Sequence, residues 1–396
     1  MLKNRFKTKD IICDVIRVLF IFNLFVTYIL SAFYTVLCID NSTLNIVTDV
    51  VYILSFAIYL FLRPRKKPVP ILVMFLFLLL IFVAYSSMIE KEFDKSGFLT
   101  CLCLSLPSLL MFSDRIESGT YKVLGVVSIV SGLFFTVLFT VQAFVLKVSE
   151  KVDYQSVSYA LIIPILFLIQ KKKNILDFVL LFIMFFFAVF MGGRGPLICV
   201  LLFFVYHTVF GVRKVSFIKI AVLIGMVFII INLEELLSFI VQTTEKYNLG
   251  GSFAIYLKYG NMFSDSGRND LYLFCIEEAN KKWLLGYGLF SDRLLLVQVE
   301  RSYPHNLFVE LALQFGYPIA CLVLLFILFN AFKYLFLFKT NDYRKNFFDV
   351  LFFSTGFMIL MFSSSYLIQP QFFALIGLFL NRHKEFKLAS ASELVR

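Results

Sequence analysis

The sequence predicts an all-α polytopic integral membrane protein with about twelve transmembrane helices and one long periplasmic loop. Of the 396 residues, 60% are apolar and 16% are charged, whereas soluble domains average about 45–50% and about 25%. Stretches of about 20 apolar residues, the length that crosses a bilayer, recur along the chain. This composition excludes an ordinary soluble enzyme, and it excludes a disordered chain because disorder requires low hydrophobicity.

The candidate spans follow one another closely except for one long interruption after the ninth. They lie near 11–33, 44–62, 69–88, 97–112, 121–146, 156–170, 175–191, 195–211, 215–233, 304–332, 347–363 and 366–381. The fourth, sixth and last are short, which leaves the count open by one or two. The sequence therefore divides into residues 1–233 with spans one to nine, the loop 234–303, and residues 304–396 with spans ten to twelve and a tail.

The distribution of positive charge supports this topology. With a cytoplasmic N-terminus, the inner segments hold 24 of the 37 Lys and Arg residues, and the short outer loops hold five. Cytoplasmic loops of membrane proteins carry such an excess, so we expect both termini in the cytoplasm. The net charge of +11 is thereby assigned to membrane topology and not to nucleic-acid binding.

The long loop has a helical pattern of its own. Tyr272, Ile276, Ala279 and Trp283 recur on one helical face, and the run Gly286–Gly288 ends the helix. We expect an amphipathic helix that rests either on the membrane surface or on the transmembrane bundle. Trp283 is the only tryptophan, and it is placed where interfacial anchors occur. The seven cysteines form no ligand cluster, so we expect no metal and no cofactor.

Two arginines on the outer side are placed where an anion would bind. Arg194 lies in the turn Gly192–Pro196 beside a helix N-terminus, which favours an anion; alternatively it is a turn arginine that reaches toward water. Arg268 lies in a first helical turn, where the helix dipole disfavours a cation by about 0.3–1 kcal/mol. It is therefore either a solvated surface residue or an arginine that binds an anionic ligand.

The start of the tenth span carries the outer side's one histidine, in the run Tyr303–Asn306. A helix N-terminus favours a neutral imidazole that can act as a base, although His305 could also be a capping residue. Pro318, which follows Gly316, predicts a break in this helix. The residues before the break would then form a half-helix that carries Glu310. Two arginines and a histidine on one side of a membrane would suit a negatively charged, lipid-linked substrate such as a pyrophosphate.

These residues resemble the bacterial O-antigen polymerase and O-antigen ligase superfamily. The resemblance covers about residues 190–330 and rests on four motifs in order. They are Gly193-Arg194-Gly195, Ser266-Gly267-Arg268, Trp283-Leu284-Leu285-Gly286-Tyr287-Gly288, and His305-Asn306-Leu307-Phe308-Val309-Glu310-Leu311 followed by Phe315-Gly316. The first 190 residues match only as a series of spans.

The resemblance implies a glycosyltransferase-C-like fold and an inverting, metal-independent membrane glycosyltransferase. Its substrate would be an oligosaccharide linked to undecaprenyl pyrophosphate, at the periplasmic face of the bacterial inner membrane. By the resemblance, Arg194 and Arg268 would hold the pyrophosphate, and His305 would position or deprotonate the acceptor hydroxyl. Further candidates for substrate binding are Arg301, Tyr303, Asn306, Glu310, Gly286 and Gly288.

Three functions remain open, in the order polymerase, ligase and flippase. A polymerase of O-antigen, capsule or exopolysaccharide would transfer the growing glycan onto the next lipid-linked repeat unit. A ligase would transfer the finished glycan to lipid A–core in lipopolysaccharide biosynthesis. A lipid-linked oligosaccharide flippase is disfavoured because the two halves of the chain are unlike, whereas transporters often contain related repeats. Candidate partners are membrane lipid and a protein that regulates chain length.

Overall fold

The computed structural model is helical, and the residues that it describes contain no strand. It describes residues 2–36, 41–63, 95–114, 116, 118–141, 154–171, 174–190, 194–209, 268–297, 299, 303–337 and 343–394, together with isolated positions between 224 and 242. The predicted span at 69–88, most of that at 215–233, and residues 243–267 of the predicted loop lie outside the described residues.

The α-helices of the described residues are numbered in chain order. They are α1 (Leu2–Ile21), α2 (Asn23–Val36), α3 (Asn41–Leu62), α4 (Lys95–Thr100), α5 (Leu106–Phe112), α6 (Ser118–Thr140), α7 (Tyr154–Gln170), α8 (Ile175–Phe190), α9 (Arg194–Val209), α10 (Arg268–Lys281), α11 (Ser291–Val297), α12 (Leu307–Phe332), α13 (Tyr343–Phe352) and α14 (Pro370–Leu394). Short π-helical and 3₁₀ segments extend several of them, at Cys101–Ser105, Lys333–Leu337, Phe353–Met358, Ile359–Met361 and Tyr366–Ile368.

Two helical stretches among the described residues are long and apolar enough to cross a membrane. They are Ser118–Leu138 and Leu307–Leu337. The helices α1 and α2 meet at a bend of 83°, and Thr8–Ile21 with Asn23–Leu30 would make a third span if the bent pair crosses as one. Shorter apolar helices occur at Ile46–Leu62, Phe98–Phe112, Ser158–Gln170, Ile175–Ala188 and Gly195–His207. The prediction of several apolar helices is thus confirmed, and the count of twelve stays a prediction.

The chain divides into two compact units. One comprises Met1–Val123 and Asp270–Arg396, and the other comprises Leu124–Asn269. In the first, α14 packs along α5, and polar side chains tie the helix ends together. Ser105 donates to the carbonyl of Leu367 at 2.7 Å, and Gln371 donates to that of Ile21 at 2.6 Å, where α1 ends. Such bonds satisfy backbone groups that a bend leaves open.

The first unit contains paired buried charges at two places. Arg17 is fully buried; its Nη2 donates to the Tyr59 hydroxyl at 3.0 Å and lies 3.9 Å from Asp114, while its Nη1 lies 3.6 Å from Asp14. In the C-terminal part, Arg382 of α14 makes a bidentate pair with Asp349 of α13. Buried charges are tolerated when paired in this way.

The second unit is built mainly from α7, α8 and α9. The α7 residues from Leu161 to Ile169 are almost completely buried, and Ser158 donates to the carbonyl of Ala188 at 3.1 Å. In contrast, α8 leaves a row of large apolar side chains exposed. The exposed residues are Ile175, Leu176, Phe178, Val179, Phe182 and Phe186. An exposed apolar stripe of this extent requires a non-aqueous environment or a partner.

Candidate functional site

The helix α12 is broken near its N-terminal end, as Pro318 predicts. Gly316 has φ 79° and ψ 166°, which lies outside the helical region. Proline carries no N–H, so Pro318 leaves the carbonyl of Gln314 without its helical donor. The break therefore needs hydrogen-bonding partners from outside the helix.

The segment between α10 and α11 supplies those partners. Three backbone hydrogen bonds of 2.8–2.9 Å replace the helical ones: Tyr287 N to Leu313 O, Gly288 N to Gln314 O, and Tyr317 N to Trp283 O. The loop motif and the helix break, which are about thirty residues apart in sequence, thus complete each other's backbone bonding. Buried backbone groups in folded proteins are almost always paired, so neither segment is satisfied without the other.

Gly286 and Gly316 allow this close approach. A Cβ on Gly286 would lie 2.5 Å from the backbone carbon of Gln314, and one on Gly316 would lie 2.5 Å from that of Leu284. Both glycines also have positive φ, at 64° and 79°, a region that side chains disfavour. The motif that contains Gly286 and the motif that contains Gly316 therefore have a structural role: their glycines let the two backbones approach each other.

Directly beside this junction lies a buried cluster of charged and polar side chains, which we name the Arg293 cluster. Its members are Asp292, Arg293, Glu310, Gln314, Ser365 and Tyr366. Arg293 Nη1 donates to Asp292 Oδ2 at 2.9 Å, and Nη2 donates to Ser365 Oγ at 2.6 Å and lies 3.5 Å from Glu310 Oε1. Asp292 and Glu310 are fully buried, so the guanidinium is the cation beside two carboxyl groups that water cannot reach.

Hydrogen bonds among its remaining members complete the cluster. The Ser365 hydroxyl donates to Glu310 Oε1, and the Tyr366 amide donates to Oε2 at 3.4 Å. The Gln314 side chain donates to Asp292 and accepts from the Tyr366 hydroxyl. Every member thus binds at least one other, and a connected network of this kind holds its side chains in one arrangement.

His305 joins the cluster through an aromatic ring. The Arg293 guanidinium lies 5.3 Å from the centre of the Tyr303 ring, and that ring lies 4.3 Å from the His305 imidazole, centre to centre. Asn306 caps α12, since its side chain accepts from the amides of Phe308 at 3.0 Å and Val309 at 3.2 Å. The imidazole is therefore placed just before a helix N-terminus, and the Tyr303 ring connects it to the Arg293 guanidinium.

Backbone strain concentrates around the cluster. Among the described residues, three non-glycine residues have positive φ: Phe290 at 65°, His305 at 58° and Ser364 at 64°. Phe290 precedes Asp292 by two positions, and Ser364 directly precedes Ser365. Such conformations cost about 1–3 kcal/mol each and cluster at functional sites. This distribution marks the Arg293 cluster and His305 as the candidate functional site.

The structure brings together some of the sequence-predicted site residues. Glu310 belongs to the Arg293 cluster, Tyr303 and His305 pack beside it, and Asn306 caps the helix that carries Glu310. Gly286 and Gly288 form the loop that joins the helix break. Arg194 begins α9 and Arg268 begins α10, but both side chains lie outside the described part of the chain, as does Arg301. Their roles stay predictions.

Five members of the cluster were not identified in the sequence. They are Asp292, Arg293, Gln314, Ser365 and Tyr366. A weak signal existed for Arg293, because Ser291-Asp292-Arg293 follows a glycine turn and opens a short helix of leucines. No local pattern marks Ser365, which lies 72 residues from Arg293 in sequence. Among the described side chains, no group of three or more His, Cys, Asp or Glu residues is placed to hold a metal ion.

The loop helix is confirmed as α10, but its buried face differs from the predicted stripe. Leu271, Cys275 and Ala279 are buried, whereas Ile276 and Trp283 are 42% and 57% exposed. Burial raises the pKa of the Cys275 thiol to about 12. The sequence does not distinguish two neighbouring faces of this helix. The set that begins at Leu271 and the set that begins at Tyr272 both recur at helical spacing. Trp283 also lies beyond the end of the helix at Lys281.

A scan against protein-family models gives no match for this chain, and a search of the curated proteins gives none either.

Proposed function

We propose that this chain is a membrane glycosyltransferase that polymerises a lipid-linked polysaccharide. In this proposal it transfers a growing glycan from undecaprenyl pyrophosphate onto the next lipid-linked repeat unit. The reaction takes place at the outer face of the bacterial inner membrane, and about twelve spans place both termini in the cytoplasm. The product would be an O-antigen, capsular or exopolysaccharide chain.

One observation carries the proposal: His305 packs on Tyr303, and Tyr303 packs on Arg293, whose side chain is only 13% exposed. A histidine at a helix start is common, but here its position is defined by a guanidinium that Asp292 and Glu310 hold in place. Catalytic groups are effective when packing and hydrogen bonding fix their own geometry. This arrangement suits a general base better than a capping residue with no further role.

The chemistry of the proposed reaction requires two kinds of group. As the glycosidic carbon–oxygen bond breaks, negative charge develops on the pyrophosphate oxygens, and preorganised arginines stabilise it. The acceptor hydroxyl must lose a proton to a base, and one positioned base contributes about 10²–10⁴-fold to a rate. His305 is the proposed base, and Arg194 and Arg268 are the proposed pyrophosphate ligands.

Arg293 has a different role in this proposal. Its guanidinium is already engaged with Asp292, Ser365 and Glu310, and it is therefore not assigned as a pyrophosphate ligand. Its contact with the Tyr303 ring instead orients the surface against which His305 packs, because a cation is attracted to an aromatic face. We therefore assign Arg293 as a positioning residue, and Glu310 and Asp292 as the groups that fix it.

Deletion of the gene, with the cell's glycans separated on a gel, tests the proposal against its alternatives. Loss of a polymerase leaves lipopolysaccharide core capped with a single repeat unit, or removes high-mass capsule or exopolysaccharide. Bare core with accumulated lipid-linked polymer would instead identify the ligase. Loss of all outer-face lipid-linked substrate would identify a flippase, and wild-type polymer in the deletion strain would contradict all three.

A further inference from the structure

The segment Trp283–Leu285 presents three consecutive large apolar side chains outward. They are 57%, 52% and 58% exposed. This is not a mobile tip, because its backbone is bonded to the broken helix: the Trp283 carbonyl accepts from the Tyr317 amide at 2.9 Å, and Gly286 packs against Gln314. A rigid backbone that displays tryptophan and two leucines requires an apolar partner.

The helix beyond the break indicates which partner this is. From Tyr317 to Leu337 the chain advances twenty residues, about 30 Å at 1.5 Å per residue, which equals the thickness of the hydrocarbon core of a bilayer. This stretch exposes a row of large apolar residues outward. They are Leu322, Leu325, Phe326, Phe329 and Phe332, each 46–66% exposed. If this stripe contacts lipid, the outer boundary of the hydrocarbon lies at Tyr317, and Trp283 is bonded to that residue.

The chemistry around the segment fits a lipid headgroup boundary. The Tyr317 hydroxyl donates to Asn280 at 2.9 Å, so an aromatic residue with a polar tip lies beside the tryptophan. Lys281 is well exposed, and Lys282 lies over the Tyr287 ring at 3.9 Å. Tryptophan and tyrosine collect at membrane interfaces, and lysines beside them favour anionic headgroups.

We infer that Trp283, Leu284 and Leu285 insert into the outer boundary of the lipid bilayer and set the height of the Arg293 cluster above it. Glu310 precedes Tyr317 by seven residues, so it lies at most about 10 Å further out along the helix. That is the level of the headgroups, where the pyrophosphate of a lipid-linked substrate would be. The importance of this height rests on the proposed function, whereas its test measures contact with lipid and not activity.

The single tryptophan makes the inference directly measurable. The full chain is reconstituted in vesicles of phosphatidylethanolamine and phosphatidylglycerol that contain phosphatidylcholine brominated either near the headgroup or near the acyl terminus. We expect a blue-shifted emission that shallow bromines quench more strongly than deep ones. Aqueous iodide should quench it less than it quenches tryptophanamide. A W283F variant provides the blank.

A second reporter calibrates depth. Phe326→Trp in the W283F background places a tryptophan nine residues beyond Tyr317, about 14 Å into the bilayer, where deep bromines should quench more strongly. If lipid bromines quench this reporter but not Trp283, the segment lies off the membrane and the inference is overturned. Equal depth for both reporters also overturns it. If neither responds, the span itself is refuted, and with it the membrane location in the proposed function.

Discussion

Gly286 and Gly316 lie on opposite sides of a junction in which each backbone occupies the space that the other's side chain would need. A Cβ on Gly286 would lie 2.5 Å from Gln314 C, and a Cβ on Gly316 would lie 2.5 Å from Leu284 C. The loop that carries Gly286 also carries Trp283, and the helix that carries Gly316 also carries Glu310. This junction therefore fixes the position of the proposed membrane anchor relative to the Arg293 cluster.

Alanine at Gly316 is expected to destabilise the protein. The positive φ alone costs about 1–3 kcal/mol for a residue with a side chain, and the backbone of Leu284 leaves no room for a methyl group. Thermal unfolding in detergent should show a clear decrease in midpoint. Gly225→Ala is the matched control, because no atom beyond its own stretch of chain lies within 4 Å of its added Cβ; equal midpoints for G316A and G225A would contradict the junction.

Removal of the Arg293 guanidinium is expected to destabilise the protein more than removal of the Glu310 carboxyl group. Arg293→Gln leaves Asp292 and Glu310 buried without a cation, and loss of one partner of a buried pair costs about 3–5 kcal/mol. Glu310→Gln leaves one carboxylate for one guanidinium. Denaturant unfolding of both single variants and of the double variant measures the difference.

The double variant is the decisive member of that set. If the two side chains interact as the structure has them, R293Q and E310Q together should destabilise less than the sum of the single changes, because E310Q removes the buried carboxyl group that R293Q leaves without its partner. Additive effects would mean that the 3.5 Å contact contributes nothing. An R293K variant should keep most of the stability but lose turnover, since lysine lacks the planar fork that reaches both Asp292 and Ser365.

The Asp349–Arg382 pair is expected to stabilise the C-terminal helices. Both residues are almost fully buried, with the guanidinium bonded to both carboxylate oxygens at 2.6 and 3.2 Å. Asp349→Asn should therefore cost about 3–5 kcal/mol. Lys345→Gln breaks the nearby pair with Glu385, in which both side chains are about a quarter exposed, and should cost less than about 1 kcal/mol. Similar losses for the two variants would refute this distinction.

The contact between α10 and the loop is expected to weaken in acid. Hydrogen bonds from Lys281 and then from the Tyr287 hydroxyl, together with the lysine charges, lower the pKa of Glu278, although desolvation opposes them. A lowered folded-state pKa means that the stabilisation is present above the unfolded pKa and is lost as the pH falls through the folded value. Amide exchange in α10 should rise below about pH 4, and E278Q should remove that dependence. An unchanged pH profile in E278Q would show that another group is responsible.

Sequence reasoning identified the features of this chain that are local. The apolar helices, the break before Pro318 and the helix after residue 267 all follow from periodicity and from proline chemistry. Glycine patterns located the turn at Gly286–Gly288 but not its partner, because a close approach between backbones thirty residues apart leaves no trace in either segment alone.

The Arg293 cluster was beyond sequence reasoning for a related physical reason. Arg293 has the appearance of one surface cation among several in a polar loop, and its low exposure depends on Glu310 and Ser365, which reach it from two distant segments. His305 and Glu310 were identified because they stand alone in an apolar context. Scarcity of polar residues is therefore a useful signal in the spans and a weak one in the loop.

The most direct test of the proposed activity uses the purified protein with a lipid-linked repeat unit and measures polymer formed. We expect His305→Gln to reduce turnover by about 10²–10⁴-fold, the contribution of one general base, with little change in the unfolding midpoint. His383→Gln is the matched control, because His383 is exposed on α14, and it should retain wild-type turnover. Wild-type polymer from the His305→Gln protein would contradict the assignment of His305 as the base.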